Sequence, residues 1–298
     1  MAEKKLSVQI CSFNRKHLLS NSVASLFDQT CAKEDYEIIV VDDGSSDGTA
    51  EMVKNLKSPV DLIFIRQEKE GLAAGRNKGI LKARGEIILF IDDDVLADPH
   101  LIEEHLRFHK EHPNSVVKGW VNHVTEFRRP EKPVWTMKDF SSAFFWTSNV
   151  SVKKADLMKA GLFDETFKEY GWEDLELGLR LKRLSLQSRI NRHAIGYHYK
   201  RSAVGSDLSG KLAQAEAKGR TAVIFVERAP NWRARLATGV YPLRLGLDRI
   251  LSNRFFLKLY KKSIPSNGKP LSAWSNYCLN ALATATYFNA VRQALVRK

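Results

Sequence analysis

The chain has 298 residues, of which 44% are hydrophobic and 27% are charged. This composition excludes a disordered chain and fits a folded protein with one large domain or one and a half. The three cysteines (Cys11, Cys31 and Cys278) lie far apart. Their number and spacing exclude a disulfide framework and a cysteine-only zinc site, and they predict a reducing compartment.

The positive charge is concentrated at one end of the sequence. Residues 201–298 contain 17 basic and 4 acidic side chains and therefore carry the whole net charge of +13. A segment of this kind favours an anionic partner, such as a membrane surface, a nucleic acid or an acidic polymer. No run of about 18 apolar residues predicts a membrane-spanning helix. The first residues lack the features of a secretory signal, so we expect a cytoplasmic protein.

Strands and helices alternate four times in the first 110 residues. The predicted strands cover residues 6–11, 37–41, 61–66 and 86–91. The predicted helices cover residues 14–29, 49–56, 72–83 and 98–112, the last with Asp98 as its N-cap. This alternation predicts an α/β fold with a doubly wound, mostly parallel sheet.

The pattern changes in the second half of the chain. A strand over 116–121, a proline-containing loop over 128–135 and helices over 153–160 and 172–184 are predicted. Beyond Tyr199 the sequence becomes helical, basic and rich in aromatic residues. We therefore predict a first domain over residues 1–204 and a helical, basic extension over residues 205–298.

Two acidic clusters follow predicted strands directly. Asp42 and Asp43 come after the second strand, and Asp92, Asp93 and Asp94 come after the fourth. Because ligands bind beyond the carboxyl ends of parallel strands, both clusters are expected to face one crevice. Carboxylate oxygens suit Mg²⁺ or Mn²⁺. The alternative is a polar turn whose acids are only solvated.

Five segments, in this order, resemble family 2 glycosyltransferases of the GT-A fold over about residues 5–200. They are VVDDGSSDGT (40–49), GLAAGRNKGI (71–80), GEIILFIDDD (85–94), GLFDE (161–165) and WEDLELGLR (172–180). The resemblance implies an inverting transferase that moves a sugar from a nucleotide-diphospho-sugar, expected to be a UDP-sugar, to an acceptor hydroxyl. It also implies the GT-A version of the α/β fold.

The resemblance assigns a donor-binding role to residues Phe13, Asp43, Arg76, Asp92 and Asp93. Asp43 would accept a hydrogen bond from the nucleotide base, and Phe13 would line the same pocket. Arg76 would lie near the diphosphate, where its planar set of donors is useful. Asp92 would approach the ribose. Taken singly, each residue has a structural alternative: an acid in a turn, a core aromatic or an arginine covering a helix.

The resemblance also assigns a metal site for Mn²⁺ or Mg²⁺. Asp94 would bind the ion that bridges the diphosphate, and His198 would complete the set of ligands, since a neutral imidazole suits Mn²⁺. His193 is a competing candidate. A single histidine is more often structural.

Glu173 and Asp174 are the candidate catalytic acids. Inverting transfer needs the acceptor hydroxyl to lose its proton as it attacks, and a positioned carboxylate can accept that proton. The resemblance implies Asp174 as the general base, with Glu173 beside it at the acceptor. The alternative is that acids in a first helical turn only interact with the helix dipole.

The acceptor is the least defined part of the prediction. Thr147 and Ser148 stand before Asn149 where the family often has two glycines. Trp120, Trp146 and Trp172 could stack on a sugar ring or belong to the core. The resemblance implies a glycan or a lipid-linked glycan as acceptor, in cell-surface polysaccharide assembly.

Residues 229–262 combine apolar and basic side chains at helical spacing, which indicates an interfacial amphipathic segment. We therefore expect peripheral attachment to the inner face of the cell membrane, with a packed helical subdomain as the alternative.

Three rival functions predict different sequence features. A nucleotidyltransferase would carry a glycine-rich loop after the first strand, a nucleic-acid-binding protein would have a basic main domain, and an inactive relative would have lost its acids. We expect no nucleic-acid partner.

Overall fold

The computed structural model describes residues 3–139, 141–200, 204, 208–265 and 270–296. They divide into two compact units, one formed by residues up to 168 with residues 177–200, and the other by residues 169–176 with residues 201–298. The predicted domain boundary at 204/205 adjoins residues 205–207, which lie outside the described residues.

The first unit contains an eight-stranded sheet with helices around it. The strands are β1 (Lys4–Ser12), β2 (Tyr36–Asp42), β3 (Asp61–Arg66), β4 (Gly85–Ile91), β5 (Val95–Ala97), β6 (Ser115–Val124), β7 (Asn149–Lys153) and β8 (Gln187–Tyr199). The helices are α1 (Lys16–Ser25), α2 (Thr49–Lys54), α3 (Leu72–Lys82), α4 (Leu101–Glu111) and α5 (Lys154–Ala160). Helix α6 (Glu173–Arg183) begins in the second unit and continues in the first.

Strand order in the sheet is β3-β2-β1-β4-β7-β6-β8-β5. The first four strands in this order are parallel, as the alternating pattern predicted. All seven residues of β2 are buried, which explains its unbroken apolar run. The other half is mixed, because β7 pairs antiparallel with β4 and β6, and β8 pairs parallel with β6 but antiparallel with β5.

The order of the strands determines which loops meet. Ser12 and Asp42 are register partners at the carboxyl ends of β1 and β2. Strand β5 follows the Asp92–Asp94 turn and pairs Val95 with His198 of β8. The sheet therefore brings His198 next to the acidic turn, although it lies 104 residues after Asp94 in the sequence.

One helix start differs from its prediction. Helix α4 begins at Leu101 with His100 as its N-cap, and not after Asp98. The backbone N–H of Asp98 still donates to Ile195 O at 3.0 Å, which extends the pairing of β5 with β8. Asp98 still accepts from the turn that precedes α4, because His100 N donates to its Oδ1 at 3.0 Å and Leu101 N donates to its carbonyl oxygen at 2.9 Å.

The second unit is helical in the part of the chain that the structure describes. Its helices after α6 are α7 (Leu208–Arg228), α8 (Trp232–Thr238), α9 (Pro242–Leu251), α10 (Arg254–Lys262) and α11 (Ala273–Val296). Ile264, Leu271, Cys278, Leu279 and Leu282 form a buried apolar cluster within it. No helix among the described residues combines the length and the apolar character needed to cross a membrane.

Candidate active site

Asp92, Asp94 and His198 form the only group of three or more potential metal ligands found among the described residues. One ligand atom from each lies within 4.8 Å of the others. His198 Nε2 is 3.0 Å from Asp94 Oδ1. The predicted ligands therefore converge, because β5 carries the acidic turn to β8.

The middle aspartate of the turn has different partners. Asp93 accepts hydrogen bonds from Ser12 Oγ at 2.7 Å and from Arg15 Nη1 at 2.9 Å. The same guanidinium nitrogen of Arg15 donates to Asp94 Oδ2 at 3.1 Å. Arg15 thus lies between two carboxylates and reduces their repulsion.

These contacts separate the acidities of the two neighbouring carboxyls. Burial raises the pKa of Asp93 to about 6, although Arg15 and Ser12 oppose the shift. Burial would also raise the pKa of Asp94, but the nearby His198, Arg15 and Lys200 outweigh it, so the pKa is lowered. Asp94 is therefore the more strongly ionised of the pair and the better cation ligand.

The Asp43 carboxylate is held rigidly at the carboxyl end of β2. It accepts hydrogen bonds from the side chain of Gln67 at 2.7 Å and from the backbone N–H groups of Glu70 at 2.8 Å and Gly71 at 3.2 Å. Gly71 has a φ of +94°, and a Cβ at this position would lie 2.5 Å from Lys168 O. The loop after β3 therefore needs glycine here in order to reach the carboxylate.

Phe13 lies beside the same cluster. Its neighbours in the chain are fixed to the β2 loop, since Asp43 N donates to Ser12 O at 3.0 Å and Asn14 N donates to Ser45 Oγ at 2.8 Å. The ring is 38% exposed, and Lys69 Nζ lies 4.9 Å from its centroid. An accessible aromatic face beside a fixed carboxylate can take a nucleotide base.

Arg76 and the two hydroxyl residues before β7 connect the donor-side groups. Arg76 is buried, donates to Thr147 Oγ1 at 2.8 Å and lies over the Phe163 ring. Ser148 Oγ donates to Asp92 Oδ2. The hydroxyls that stand in place of the family's glycines therefore hold an arginine and an aspartate.

Cys11 of β1 lies near several of these charged groups. Burial raises the pKa of its thiol to about 12, the charge of Arg76 opposes this shift, and the charges of Asp43, Asp93 and Asp92 add to it. Four predicted donor-side residues, Asp43, Arg76, Asp92 and Asp93, are therefore close enough to act on this one thiol.

The candidate base residues belong to the second unit. Gly171 N donates to Glu173 Oε2 at 3.0 Å, and Leu175 N donates to Asp174 Oδ1 at 2.8 Å. Trp172 is buried in the same unit, where it stacks on Phe225 at 5.6 Å. Trp172 is therefore a core residue and not a sugar-stacking surface, and the role of Asp174 stays a prediction.

No role was predicted for three groups of this site, namely Ser12, Arg15 and the Asp139–His123 pair, and Ser148 was considered only for the acceptor. His123 stacks on His198 with ring centroids 5.4 Å apart, and His123 Nδ1 lies 2.8 Å from Asp139 Oδ1. Ser12 ends β1 and Arg15 follows it closely, and this position at a strand end could have identified both residues. His123 lies in a strand with no motif, so only the pairing of β6 with β8 identifies it.

Comparison with known proteins identifies the family. The model of the family described as "Glycosyl transferase family 2" matches residues 7–166, more than half of the chain. The chain belongs to glycosyltransferase family 2. The predicted resemblance is confirmed.

Several curated relatives are glycosyltransferases. The chain is 32% identical to the uncharacterized glycosyltransferase YfnE of Bacillus subtilis, over 65% of this chain and 64% of that protein. It is 31% identical to the validoxylamine A glucosyltransferase of Streptomyces hygroscopicus subsp. limoneus (64% and 51%) and 27% identical to the chondroitin synthase of Escherichia coli (65% and 34%). The matched region thus covers less than two thirds of each of these proteins.

Solved structures share the fold of this family 2 member. S. aureus TarS 1-349 in complex with UDP-GlcNAc matches with a TM-score of 0.57 at 18% identity, over 99% of this chain and 92% of that chain. The mannosyltransferase PcManGT from Pyrobaculum calidifontis, in complex with GDP-Man and Mn2+, matches with a TM-score of 0.56 at 15% identity (100% and 78%). The fold is therefore the GT-A fold, as predicted.

The three clustered residues of this family 2 chain fit a divalent cation. Asp94 Oδ1 is buried, and only the ion pair with His198 Nε2 at 3.0 Å is found for it among the described residues. Two carboxylates and an imidazole are a ligand set that suits Mn²⁺ and accommodates Mg²⁺.

Proposed function

We propose that this protein transfers a sugar from a nucleotide-diphospho-sugar to an acceptor hydroxyl with inversion at the anomeric carbon. The observation that carries the proposal is the convergence of Asp92, Asp94 and His198 at the strand ends that also carry Asp43. Membership of glycosyltransferase family 2 supports the same reaction class. In this proposal residues 1–204 form the catalytic domain and residues 205–298 an extension.

The donor is a UDP-sugar. Asp43 accepts a hydrogen bond from the uracil, whose ring lies against Phe13, and Arg76 lies beside the diphosphate. Asp92 approaches the ribose, and Asp93 keeps the turn in place through Ser12 and Arg15. The UDP-GlcNAc complex of TarS, which shares this fold, supports UDP as the nucleotide.

Asp94 and His198, with Asp92 nearby, would hold Mn²⁺ or Mg²⁺. Held there, a divalent cation would supply positive charge to the departing diphosphate, so no protonating acid would be needed on that side. The Mn2+ complex of PcManGT supports a divalent cation. His198 is kept in position by its stacking on His123, and His123 in turn contacts Asp139.

Asp174 is the proposed general base. It takes the proton of the acceptor hydroxyl as that oxygen attacks the anomeric carbon on the face opposite the diphosphate. Glu173, whose carboxylate accepts from Gly171 N, stands next to it at the acceptor. The first turn of α6 carries both acids, where negative charge interacts favourably with the helix dipole.

The acceptor is a glycan or a lipid-linked glycan. Relatives named for chondroitin synthesis and for poly(ribitol-phosphate) glucosylation support a polysaccharide or cell-wall polymer. A thermal-shift screen of nucleotide-sugars with and without Mn²⁺ tests the donor and the metal together. We expect a UDP-sugar to stabilise the protein and the effect to vanish with a chelator. Equal responses to all nucleotides would contradict the proposal.

The second unit is proposed to hold the protein on the inner, anionic face of the membrane. Helix α9 exposes Leu243, Leu247, Ile250 and Leu251, which have spacings of four, three and one residues and so form one stripe. Helix α10 exposes Phe255 and Leu259 beside basic residues such as Lys258. Apolar stripes that face outward next to lysine and arginine suit an interfacial position.

A further inference from the structure

An open pocket in the first unit is lined by three tryptophans. Trp120 of β6 and Trp135 and Trp146 of the loop between β6 and β7 lie at its wall, together with Asn149 and Arg192. Trp135 is 44% exposed, and Trp120 and Trp146 are partly exposed. The aromatic faces are therefore accessible, unlike that of the buried Trp172.

Two connections join this pocket to the candidate metal site. Asn149 lines the pocket, and the preceding residue, Ser148, donates to Asp92. Asp139 also lines the pocket and contacts His123, which stacks on His198. The pocket is therefore next to the group of residues that would hold the diphosphate.

Two polar side chains of the pocket already form hydrogen bonds within the protein. Asn149 donates to Trp120 O at 3.2 Å and to Ala194 O at 3.0 Å, and its Oδ1 contacts His105 Nε2 at 2.9 Å. Lys118 donates to two backbone carbonyls. The asparagine and the lysine thus fix the wall.

The groups of the pocket that remain available to a ligand are the aromatic faces and the guanidinium of Arg192. Arg192 is exposed, lies 5.8 Å from the centroid of Trp135 and has no ion-pair partner in the described part of the chain. The buried Trp120 Nε1 also lacks an acceptor among the described residues. Flat aromatic faces with a charged donor at the edge suit the C–H face of a pyranose and its ring hydroxyls or carboxylate.

We infer that this pocket is the subsite for a sugar ring of the acceptor. The ring stacks on Trp135 and Trp146, and Arg192 donates to its oxygens. The inference rests on the proposed glycosyl transfer, because adjacency to the diphosphate site is what makes the sugar an acceptor. It gives the acceptor a chemical class: a glycan with a pyranose at or next to the reacting hydroxyl.

Saturation-transfer NMR tests the inference on the full chain with UDP and Mn²⁺ present. The probes are the methyl pyranosides of glucose, galactose, mannose, N-acetylglucosamine and glucuronic acid. We expect saturation of the ring protons of at least one probe. Trp135→Ala should weaken the binding of that probe about fivefold or more. Arg192→Ala should weaken the binding of the glucuronic acid glycoside, whose carboxylate can pair with the guanidinium. Val134→Ala, an exposed change in the same loop, is the matched control and should bind as the parent does.

The outcomes separate the two proposals. Calorimetry with UDP and Mn²⁺ reports on the donor site alone, and failure there contradicts the proposed function. If UDP binds but no glycoside receives saturation, or if Trp135→Ala binds its probe with unchanged affinity, the subsite is overturned. Circular dichroism checks the fold of each variant. Trp135→Phe should retain binding while Trp135→Leu loses it, and equal binding by these two variants also overturns the subsite.

Discussion

His198 Nε2 lies 3.0 Å from Asp94 Oδ1 although the two residues are 104 positions apart in the chain. The contact exists because β5 pairs with β8 directly beside the acidic turn, and Tyr199 N donates to Asp94 O at 2.9 Å. A backbone ladder thus fixes the separation of the two side chains. That rigidity suits a metal site, since ligands on strands keep their geometry when the ion leaves.

Asp94→Ala and His198→Ala should each weaken Mn²⁺ binding in the presence of UDP by at least about 100-fold, because each removes a proposed ligand. Electron paramagnetic resonance of free Mn²⁺ measures this. Asp61→Asn is the control, since Asp61 begins β3 at the other end of the strands. If both variants bind Mn²⁺ as tightly as the parent, the assigned ligands are wrong.

Asp174→Asn should keep UDP-sugar binding and lower the transfer rate by about 10²–10⁴-fold, since the amide cannot accept the hydroxyl proton. Calorimetry gives the binding, and UDP release in the presence of acceptor gives the rate. Glu176→Gln, in the same helical turn, controls for the loss of one negative charge. Transfer at the normal rate by Asp174→Asn would remove this residue from the mechanism.

Arg15→Gln should lower the free energy of unfolding of the metal-free protein by about 1–3 kcal/mol, because Asp93 and Asp94 lose their shared charged donor. Mn²⁺ should then raise the melting temperature more than it does in the parent, since the ion no longer competes with a guanidinium for Asp94. Thermal unfolding with and without Mn²⁺ measures both effects. Arg107→Gln, which removes exposed pairs with Glu104 and Glu111, should change neither by much. An unchanged metal response in Arg15→Gln would contradict the competition.

Two buried histidines predict how stability depends on pH. Burial lowers the pKa of His105 to about 4 and that of His109 to about 3. Both contact Ser151 Oγ, at 2.7 and 2.8 Å, and their neutral forms satisfy it. Below pH 6.5 these histidines bind protons in the unfolded chain but remain neutral in the folded chain. The free energy of unfolding present above that pH is therefore lost as the pH falls towards 4.

His109→Gln should flatten this dependence between pH 6.5 and 4 by up to about 1.4 kcal/mol per pH unit, the value for one proton. The glutamine amide can keep the donor to Ser151. Urea unfolding at several pH values measures the slope. His17→Gln, at an exposed histidine, should leave the slope as it is. The prediction fails if His109→Gln also leaves it unchanged.

Leu243→Ser combined with Ile250→Ser should lower binding to vesicles of phosphatidylglycerol at least about tenfold, since each apolar side chain contributes roughly 1.5–3 kcal/mol when buried. Co-sedimentation measures the binding. Val134→Ser with Met137→Ser makes the same change at exposed apolar residues of the first unit and should have no effect. We expect weaker binding at 0.5 M salt and to phosphatidylcholine. Equal binding by both double variants would contradict attachment through α9.

Local sequence patterns are enough to predict the parallel half of the sheet and the residues that follow its strands. Periodicity and turn chemistry are local, so they predict β3 at its observed bounds and place Asp43 and the acidic turn at strand ends. The family resemblance added predicted roles for Asp94 and His198, because a motif carries information that local propensity lacks.

The mixed half of the sheet and the contacts between distant side chains depend on the tertiary structure. Strands β5, β7 and β8 form by pairing with partners far along the chain, so no local pattern predicted them. The same pairing brings His123 to His198 and Ser148 to Asp92, and the fold of the loop brings Trp135 and Trp146 to one pocket. Burial raises the pKa of Asp93, whereas the nearby His198, Arg15 and Lys200 lower that of Asp94, although the two are neighbours of identical type. Contacts over long sequence separations and the loss of solvent around particular side chains are properties of the folded chain, and a list of residues does not contain them.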